Sequence, residues 1–452
     1  MSFRARSRAA LADAALQKAL ANVPPGFVAK RARAVAAWAD FESVRKTAAA
    51  HKRAVLADLE THLARFTERA EAAGARVHRA ANAGRARAVI TGILRRAGAR
   101  AVVKGKSMVS EEIDLTAALE EAGFAVTETD LGEYIIQLRH ERPSHIIAPA
   151  VHLSREQIAA DFLNAHDDLP PDRDMADNAA LVEEARAVLR QRFCAADAGI
   201  IGANALIAET GTTMLVTNEG NGDLCANLPR LLIVIASIEK LVVDFAGAAN
   251  LIRLLARSAT GQEISVYTSF FTGVRRDDEA GGPEEMHIVL LDNGRRALLG
   301  TPFSDMLACI RCGACLNHCP VFQAVGGHAY GDVYPGPMGL ALQPALKPAA
   351  LEDGIIEGCT MCGRCAEVCP MLIPLPDLIR QHRFRAHEKG YGARAVRGGL
   401  RLWAWLAARP AAYRLATRLG GWLLRRFPML ARARGRKLPA PAGAPFMVRR
   451  RS

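Results

Sequence analysis

The sequence predicts an α/β protein with a helical N-terminal lead-in, a metal-organised module in place of a second core, and a basic helical tail. Three observations predict it. Short apolar runs alternate with helical segments between residues 101 and 291, a helical periodicity precedes them, and eight of the ten cysteines fall in two twelve-residue windows after them. With 452 residues, half of them apolar, the chain has material for two or three domains.

Residues 1–95 are rich in Ala, Arg and Leu, and Val55, Leu56, Leu59, Leu63 and Phe66 recur at spacings of three and four, so this stretch reads as a helical lead-in. Residues 96–300 read as the α/β domain. Its candidate strands are AVV at 101, FAVTETD at 124, YIIQL at 134, SHIIAPAV at 144, TMLVTN at 213, LLIVIA at 231, ISVYTSF at 264 and MHIVLL at 286. Residues 301–380 are rich in Gly and Pro and too poor in long apolar runs to build a core, which leaves metal–ligand bonds to organise them. Residues 381–452 form a basic region that ends in KLPAPAGAPFMVRRRS, a composition expected to stay unstructured.

Each cysteine window has the form C-x2-C-x2-C-x3-C-P: Cys309, Cys312, Cys315, Cys319 and Pro320, then Cys359, Cys362, Cys365, Cys369 and Pro370. This is the ferredoxin-type run for a 4Fe-4S cluster. Three thiolates at intervals of three reach three corners of one cubane, with Gly313 and Gly363 easing the tight path. The fourth cysteine of such a run ligates the other cluster. The expected sets are therefore Cys309, Cys312, Cys315 and Cys369 for one cluster and Cys359, Cys362, Cys365 and Cys319 for the second. Zinc also accepts four thiolates, but its paired knuckles do not call for three closely spaced cysteines with a fourth before proline. Two adjacent one-electron centres suit electron transfer; a purely structural role for them is the alternative. The windows are unlike a disulfide framework, and Cys194 and Cys225, which lie outside them, read as small core residues.

Between the arrays, Val321 to Gly339 is a loop with His328 and Tyr330 as polar tips, suited to docking a partner, shielding a cluster or simply connecting. Two stretches of the α/β part resemble ligand-handling loops. In VKGKSMVSEEIDL, Lys104, Lys106 and Ser107 leave a strand before a helix opening at Ser110, an arrangement able to meet an anion. In AETGTTMLVTNEGNGDL, glycines punctuate a strand and loop carrying Glu209, Glu219 and Asn221, which hairpin turns explain better than a ligand does.

These two stretches, together with ETDLGEYIIQL, PSHIIAPAVHLS, CIRCGACLNHCPVF and GGHAYGDVYPGPMG, closely resemble the lactate utilization protein B family, in order over about residues 10 to 390. The resemblance implies an α/β domain similar in fold to the sugar-phosphate isomerase and CoA-transferase superfamily. It also implies a cytoplasmic subunit that works in L-lactate oxidation to pyruvate with a cysteine-rich iron–sulfur protein and a second lactate-utilization-domain protein. Some relatives in that superfamily use a glutamate nucleophile, and Glu209 is the counterpart here, although no partner base is recognisable. A stand-alone enzyme acting on an anion, the iron–sulfur subunit of a glycolate-type oxidase, and a scaffold are the competing functions. Arg364 departs from the family pattern as a cation beside the second array, expected to raise that cluster's potential, and Cys225 departs as a cysteine in the glycine loop.

The net charge of +13 does not indicate nucleic acid. From Asp377 onward there are 19 Lys and Arg against two acids, so the residues before it sum to −4. Pro410 divides the tail into two helical pieces holding Trp403, Trp405 and Trp422, with Leu415, Leu419 and Leu423 on one face and Arg414, Arg418 and Arg425 on another. This surface fits an anionic membrane face or an acidic subunit; packing on the protein's own domain is the alternative. The N-terminus lacks the apolar core of a secretory signal, no run is long enough to span a bilayer, and no G-x-G-x-x-G unit marks a nicotinamide site. The expected location is the cytoplasm, with peripheral contact at the inner face of the membrane.

Overall fold

Strand residues between 76 and 291 build a six-stranded parallel sheet. The computed structural model describes residues 1–427, apart from 167, 176 and 393, and the backbone of 432–433 and 436–437. Two compact units divide the chain, Met1–Phe384 and Arg385–Ser452. In the first, the strands are β1 (Arg76–Ala80), β2 (Ala101–Lys104), β3 (Ala125–Glu128), β4 (Ala198–Gly202), β5 (Ala205–Ile207), β6 (Thr212–Thr217), β7 (Leu231–Ser237), β8 (Leu241–Val242), β9 (Tyr267–Phe271) and β10 (Glu285–Leu291). The parallel sheet has the order β1-β10-β7-β4-β2-β3, and a smaller mixed sheet the order β8-β5-β6-β9.

Helices cover both faces of the parallel sheet, so its central strands are apolar throughout rather than alternating. In β7 all seven residues are buried. Leu231, Ile233, Ile235, Val289 and Leu291 pack on one face with Ile90, Leu94, Leu115 and Leu119 of helices Ala83–Arg96 and Leu115–Glu121. Leu232, Val234, Met286, Ile288 and Leu290 face the other way, onto Leu63, Phe66, Phe162 and Leu189. Each such leucine or isoleucine contributes about 1.5–3 kcal/mol relative to exposure. From β2 the chain steps outward to the edge strand β3, then returns to the other side of β2 with β4 and continues through β7 to β10, beside β1. The order therefore reverses between β2 and β4, where a crevice opens at the strands' carboxyl ends.

Four local expectations are corrected. YIIQL is not a strand but part of helix Leu131–Leu138, because Asp130 caps it, its Oδ1 accepting the Glu133 N–H at 3.2 Å. SHIIAPAV is a turn, closed by the Ser144 N–H and hydroxyl donating to the Pro149 carbonyl at 3.0 and 2.9 Å. The helix expected from Ser110 opens earlier, at Met108, with Ser107 as its cap. Strand β1 lies inside the stretch read as helical; as an edge strand with β10 as its one neighbour, it has a polar, unpatterned sequence, RVHRA.

The N-terminal helices Phe3–Ala12, Ala14–Leu20, Ala29–Ala36 and Phe41–Ala57 reach far along the chain to pack in part on the cysteine region. Arg6 Nε and Gln17 Nε2 donate to the carbonyls of Ala329 and Ala324, each at 2.9 Å, and the Phe3 ring lies 5.4 Å from that of Tyr330. In the second unit, helices Arg394–Ala407 and Pro410–Arg426 divide at the proline, and Trp403, Trp405, Leu415, Leu419 and Trp422 are exposed. Among the described residues no helix is long and apolar enough to cross a membrane. Of the stretch 437–452, expected to stay unstructured, Lys437 ends a two-residue strand opposite Arg432, and the rest lies outside the described residues.

Candidate metal centre

The two cysteine runs fold alike. In each, the residue before the second cysteine takes a left-handed conformation, Arg311 at φ +58° and Met361 at +59°, and the following glycines, Gly313 and Gly363, sit at +75° and +82°. For a non-glycine residue this costs on the order of 1–3 kcal/mol and persists only where the surroundings demand it. The demand is visible: the left-handed turn aims the Arg311 N–H at Cys309 Sγ (3.4 Å) and the Met361 N–H at Cys359 Sγ (3.3 Å). The Ile373 N–H points to Cys369 Sγ at 3.5 Å. Short helices Ala314–Asn317 and Arg364–Val368 carry the third cysteines, Cys315 and Cys365, and Pro320 opens helix Pro320–Val325.

The runs lie against each other. Cys309, Cys312, Cys315 and Cys369 line one small cavity whose other walls include Ile146, Met306, Met338, Ile373 and Leu375. Cys319 lies within electrostatic reach of Cys359 and Cys362, and Cys365 of Cys359, Cys319 and Cys362. Burial pushes the Cys312 and Cys365 thiols up to about 12 and raises Cys309, Cys315, Cys319 and Cys369 as well. Thiols this buried become thiolates when a metal takes the charge. The first cavity offers sulfur donors without a carboxylate or imidazole, a soft set that fits an iron–sulfur cluster and not a hard cation.

Distant segments hold these loops in place. Arg31 donates to the Val368 carbonyl at 2.9 Å, and Arg45 to those of Cys369 and Glu367, each at 2.8 Å. A buried charge network ties the first loop to the sheet. Arg311 meets Glu239 at 2.9 Å and lies over the Tyr334 ring at 5.2 Å; Arg295, fully buried, pairs with Glu112 at 2.6 Å and with Glu239 at 2.9 Å; the Tyr334 hydroxyl donates to Glu112 at 2.7 Å. Burial alone would raise the Glu239 carboxyl, yet Arg295 and Arg311 hold it down at about 2.

Beside the first cavity lies a larger one of about 250 Å³, at the carboxyl ends of β2 and β4. Lys106 and Ser107 enter it from the loop after β2, Asn204 from the end of β4, Lys240 from the end of β7, and Ile310 and Arg311 from the first cysteine loop. Burial, with Arg311 adding to it, brings Lys240 down to about 7. Lys104 is not in this lining; it is fully buried between Glu128 and Glu111 at 2.8 and 3.0 Å.

Glu209 lies outside the lining, half exposed, with Arg65 at 3.9 Å. Tyr330 is no polar tip: it is 1% exposed, its phenol beside Cys319, whereas His328 is exposed and bonds the Arg142 carbonyl at 2.7 Å. Cys225 is a core residue as expected, but Cys194 is exposed, because Phe193 takes the buried face at the end of its helix. Arg364 directs its charge to Glu367 at 2.7 Å on the surface. Sequence reasoning missed Lys240, Glu239, Glu112 and Arg295. The one available signal was SIEK, two charges directly after an unbroken apolar strand.

A parallel α/β platform joined to a double cysteine run defines an iron–sulfur protein of two parts. A LUD domain model matches residues 63–291, and a 4Fe-4S dicluster domain model matches residues 305–373. The chain is 40% identical over 389 residues to lactate utilization protein B of Bacillus velezensis, covering 86% of this chain and 81% of that one. It is 41% identical over 357 residues to that of Bacillus subtilis, covering 78% and 72%. It is 38% identical over 418 residues to a protein of Escherichia coli K12 named uncharacterized electron transport protein YkgF, covering 92% and 87%. The chain belongs to the lactate utilization protein B family. It is a 4Fe-4S protein with a lactate-related electron-transfer role.

Proposed function

We propose that the chain is the iron–sulfur subunit of a nicotinamide-independent complex that oxidises L-lactate to pyruvate. Its companions are a cysteine-rich iron–sulfur protein and a second lactate-utilization-domain protein. The observation that carries the reading is the exchange between the runs: Cys369 lies with Cys309, Cys312 and Cys315, and Cys319 with the other three. This arrangement supports two clusters with crossed ligation. Bound there, each 4Fe-4S cluster takes up and releases one electron. The chain's part is to hold both sites close together, exclude water with Ile146, Met338 and Leu375, and aim backbone N–H groups at the ligand sulfurs.

The two tail helices, basic and with exposed tryptophans, support contact with an anionic membrane face. Anaerobic reconstitution tests the core of the reading. Eight irons and two reducible centres are expected, with lactate turnover when both companions are added and none without them. Bound zinc, redox-inert clusters, or turnover by the isolated chain would sink it.

A further inference from the structure

A lysine without a hydrogen-bonded partner reaches into the cavity at the β2/β4 crevice. Lys240 is 7% exposed, and among the described residues no hydrogen bond or ion pair reaches its ammonium group. Glu239 and Cys309 attract its charge but neither bonds to it, and Glu239 is itself committed to Ser237, Arg311 and Arg295. The other cations of the lining are engaged: Lys106 with the Ile147 carbonyl, Arg311 with Glu239. Burial favours the neutral amine, and an anion bound beside it favours the ammonium. Its position at a reversal of strand order is where open α/β sheets take up ligands, and about 250 Å³ is smaller than a cavity for a drug-sized molecule.

We propose that this cavity binds a small organic monocarboxylate, its carboxylate paired with Lys240 and its remaining polar group beside Ser107 and Asn204. A monoanion is favoured over a phosphate because Asp130 and Glu219 lie in the same lining and repel a second negative charge. The ligand borders the first cysteine group, since Ile146, Ile310 and Arg311 line both cavities. Reducing that cluster adds negative charge across a single layer of side chains. Reduction and anion binding therefore oppose each other, reciprocally. The assignment involves no bond making; it rests on the lactate reading for its choice of probes, and its failure would leave the iron count and reducible centres expected from that reading untouched.

The test is calorimetry on the anaerobically reconstituted full chain with pyruvate, oxamate, L-lactate and inorganic phosphate, before and after photoreduction. Saturable one-site binding of monocarboxylates, weaker in the reduced protein, is expected, with phosphate bound poorly or not at all. Lys240→Met should lose about tenfold or more in affinity, the scale of a hydrogen bond to a charged group, while keeping its iron content. If that variant fails to hold its clusters, amine labelling of the unmodified protein decides: pyruvate should protect Lys240 from a small acylating reagent. No carboxylate binding, preference for phosphate, equal affinity in both redox states, unchanged affinity in Lys240→Met, or no protection would each overturn the proposal.

Discussion

Replacing Arg295 by Met tests whether the buried charge network holds the sheet and the first cysteine loop together. The guanidinium is fully buried and stands between two carboxylates that are themselves almost wholly buried, Glu112 at 2.6 Å and Glu239 at 2.9 Å. Methionine fills much of the volume but strands both acids. Glu112 keeps the Tyr334 hydroxyl and Asn293 Nδ2, each at 2.7 Å, and Glu239 keeps Arg311 and the Ser237 hydroxyl. Breaking a buried pair by removing one partner costs about 3–5 kcal/mol. At about 1.4 kcal/mol per decade, the opened population rises some hundredfold to several thousandfold.

The pH dependence has a definite sign. In the parent protein burial opposes the charged form of Glu112, but Arg295 holds its carboxyl below the usual range, and Glu239 is held at about 2. A depressed folded pKa stabilises fully above the unfolded value, and that stability is lost progressively as pH falls from the unfolded value to the folded one, so the parent loses little through these groups between pH 7 and 5. Without Arg295, desolvation moves the carboxyls upward, and protonation relieves the variant as pH falls through that raised value. The deficit should therefore narrow between about pH 7 and 5. Hydrogen exchange of the β7 and β10 amides measures the opening free energy directly. A loss below about 1 kcal/mol, or a deficit equal at both pH values, would refute the reasoning.

Three further outcomes follow from the geometry. Cys319→Ser should deplete the cluster held by Cys359, Cys362 and Cys365 and spare the other, by iron analysis and electron paramagnetic resonance; loss of the first alone would contradict crossed ligation. Gly211→Ala should destabilise by about 2 kcal/mol or more, since the residue sits at φ +70° and a Cβ would lie 2.2 Å from the Ala70 nitrogen. Urea midpoints check this, and a neutral substitution would show that the turn relaxes. Replacing Trp403 and Trp405 by Ala should release the chain from anionic phospholipid vesicles in flotation while leaving iron content unchanged; undiminished flotation would remove the membrane reading.

What was legible in the sequence was what depends on local spacing. The cysteine runs announce their chemistry because three ligands of one site are neighbours in sequence, and LLIVIA and MHIVLL announce buried strands because both their faces are covered. YIIQL was ambiguous by nature: a short apolar run has no period, and the deciding evidence was the Asp130 cap three residues before Glu133. RVHRA was invisible because a polar edge strand needs its partner's register, Val77 opposite Ile288, to be a strand at all. Lys240 was invisible for a further reason. Its burial depends on Arg311, seventy-one positions later, closing the cavity beside it.

That dependence on distant segments bears on how the metal contributes to stability. The carbonyls of the second run are held by Arg31 and Arg45, the first loop by Glu239 and, through it, Arg295, and Tyr334 of the linker joins Glu112 of the sheet. The cysteine segment is thus walled by the N-terminal helices and the α/β strand ends together. Metal–ligand bonds formed there act as folding free energy for whatever must be ordered to form them. Chelation of the iron should therefore lower exchange protection in helices Ala29–Ala36 and Phe41–Ala57 and in the Glu239 loop along with residues 305–373. Loss of protection confined to 305–373 would mean that the module folds independently and that these arginine contacts merely dock it. Loss across all four segments would mean that loading the clusters completes the first unit.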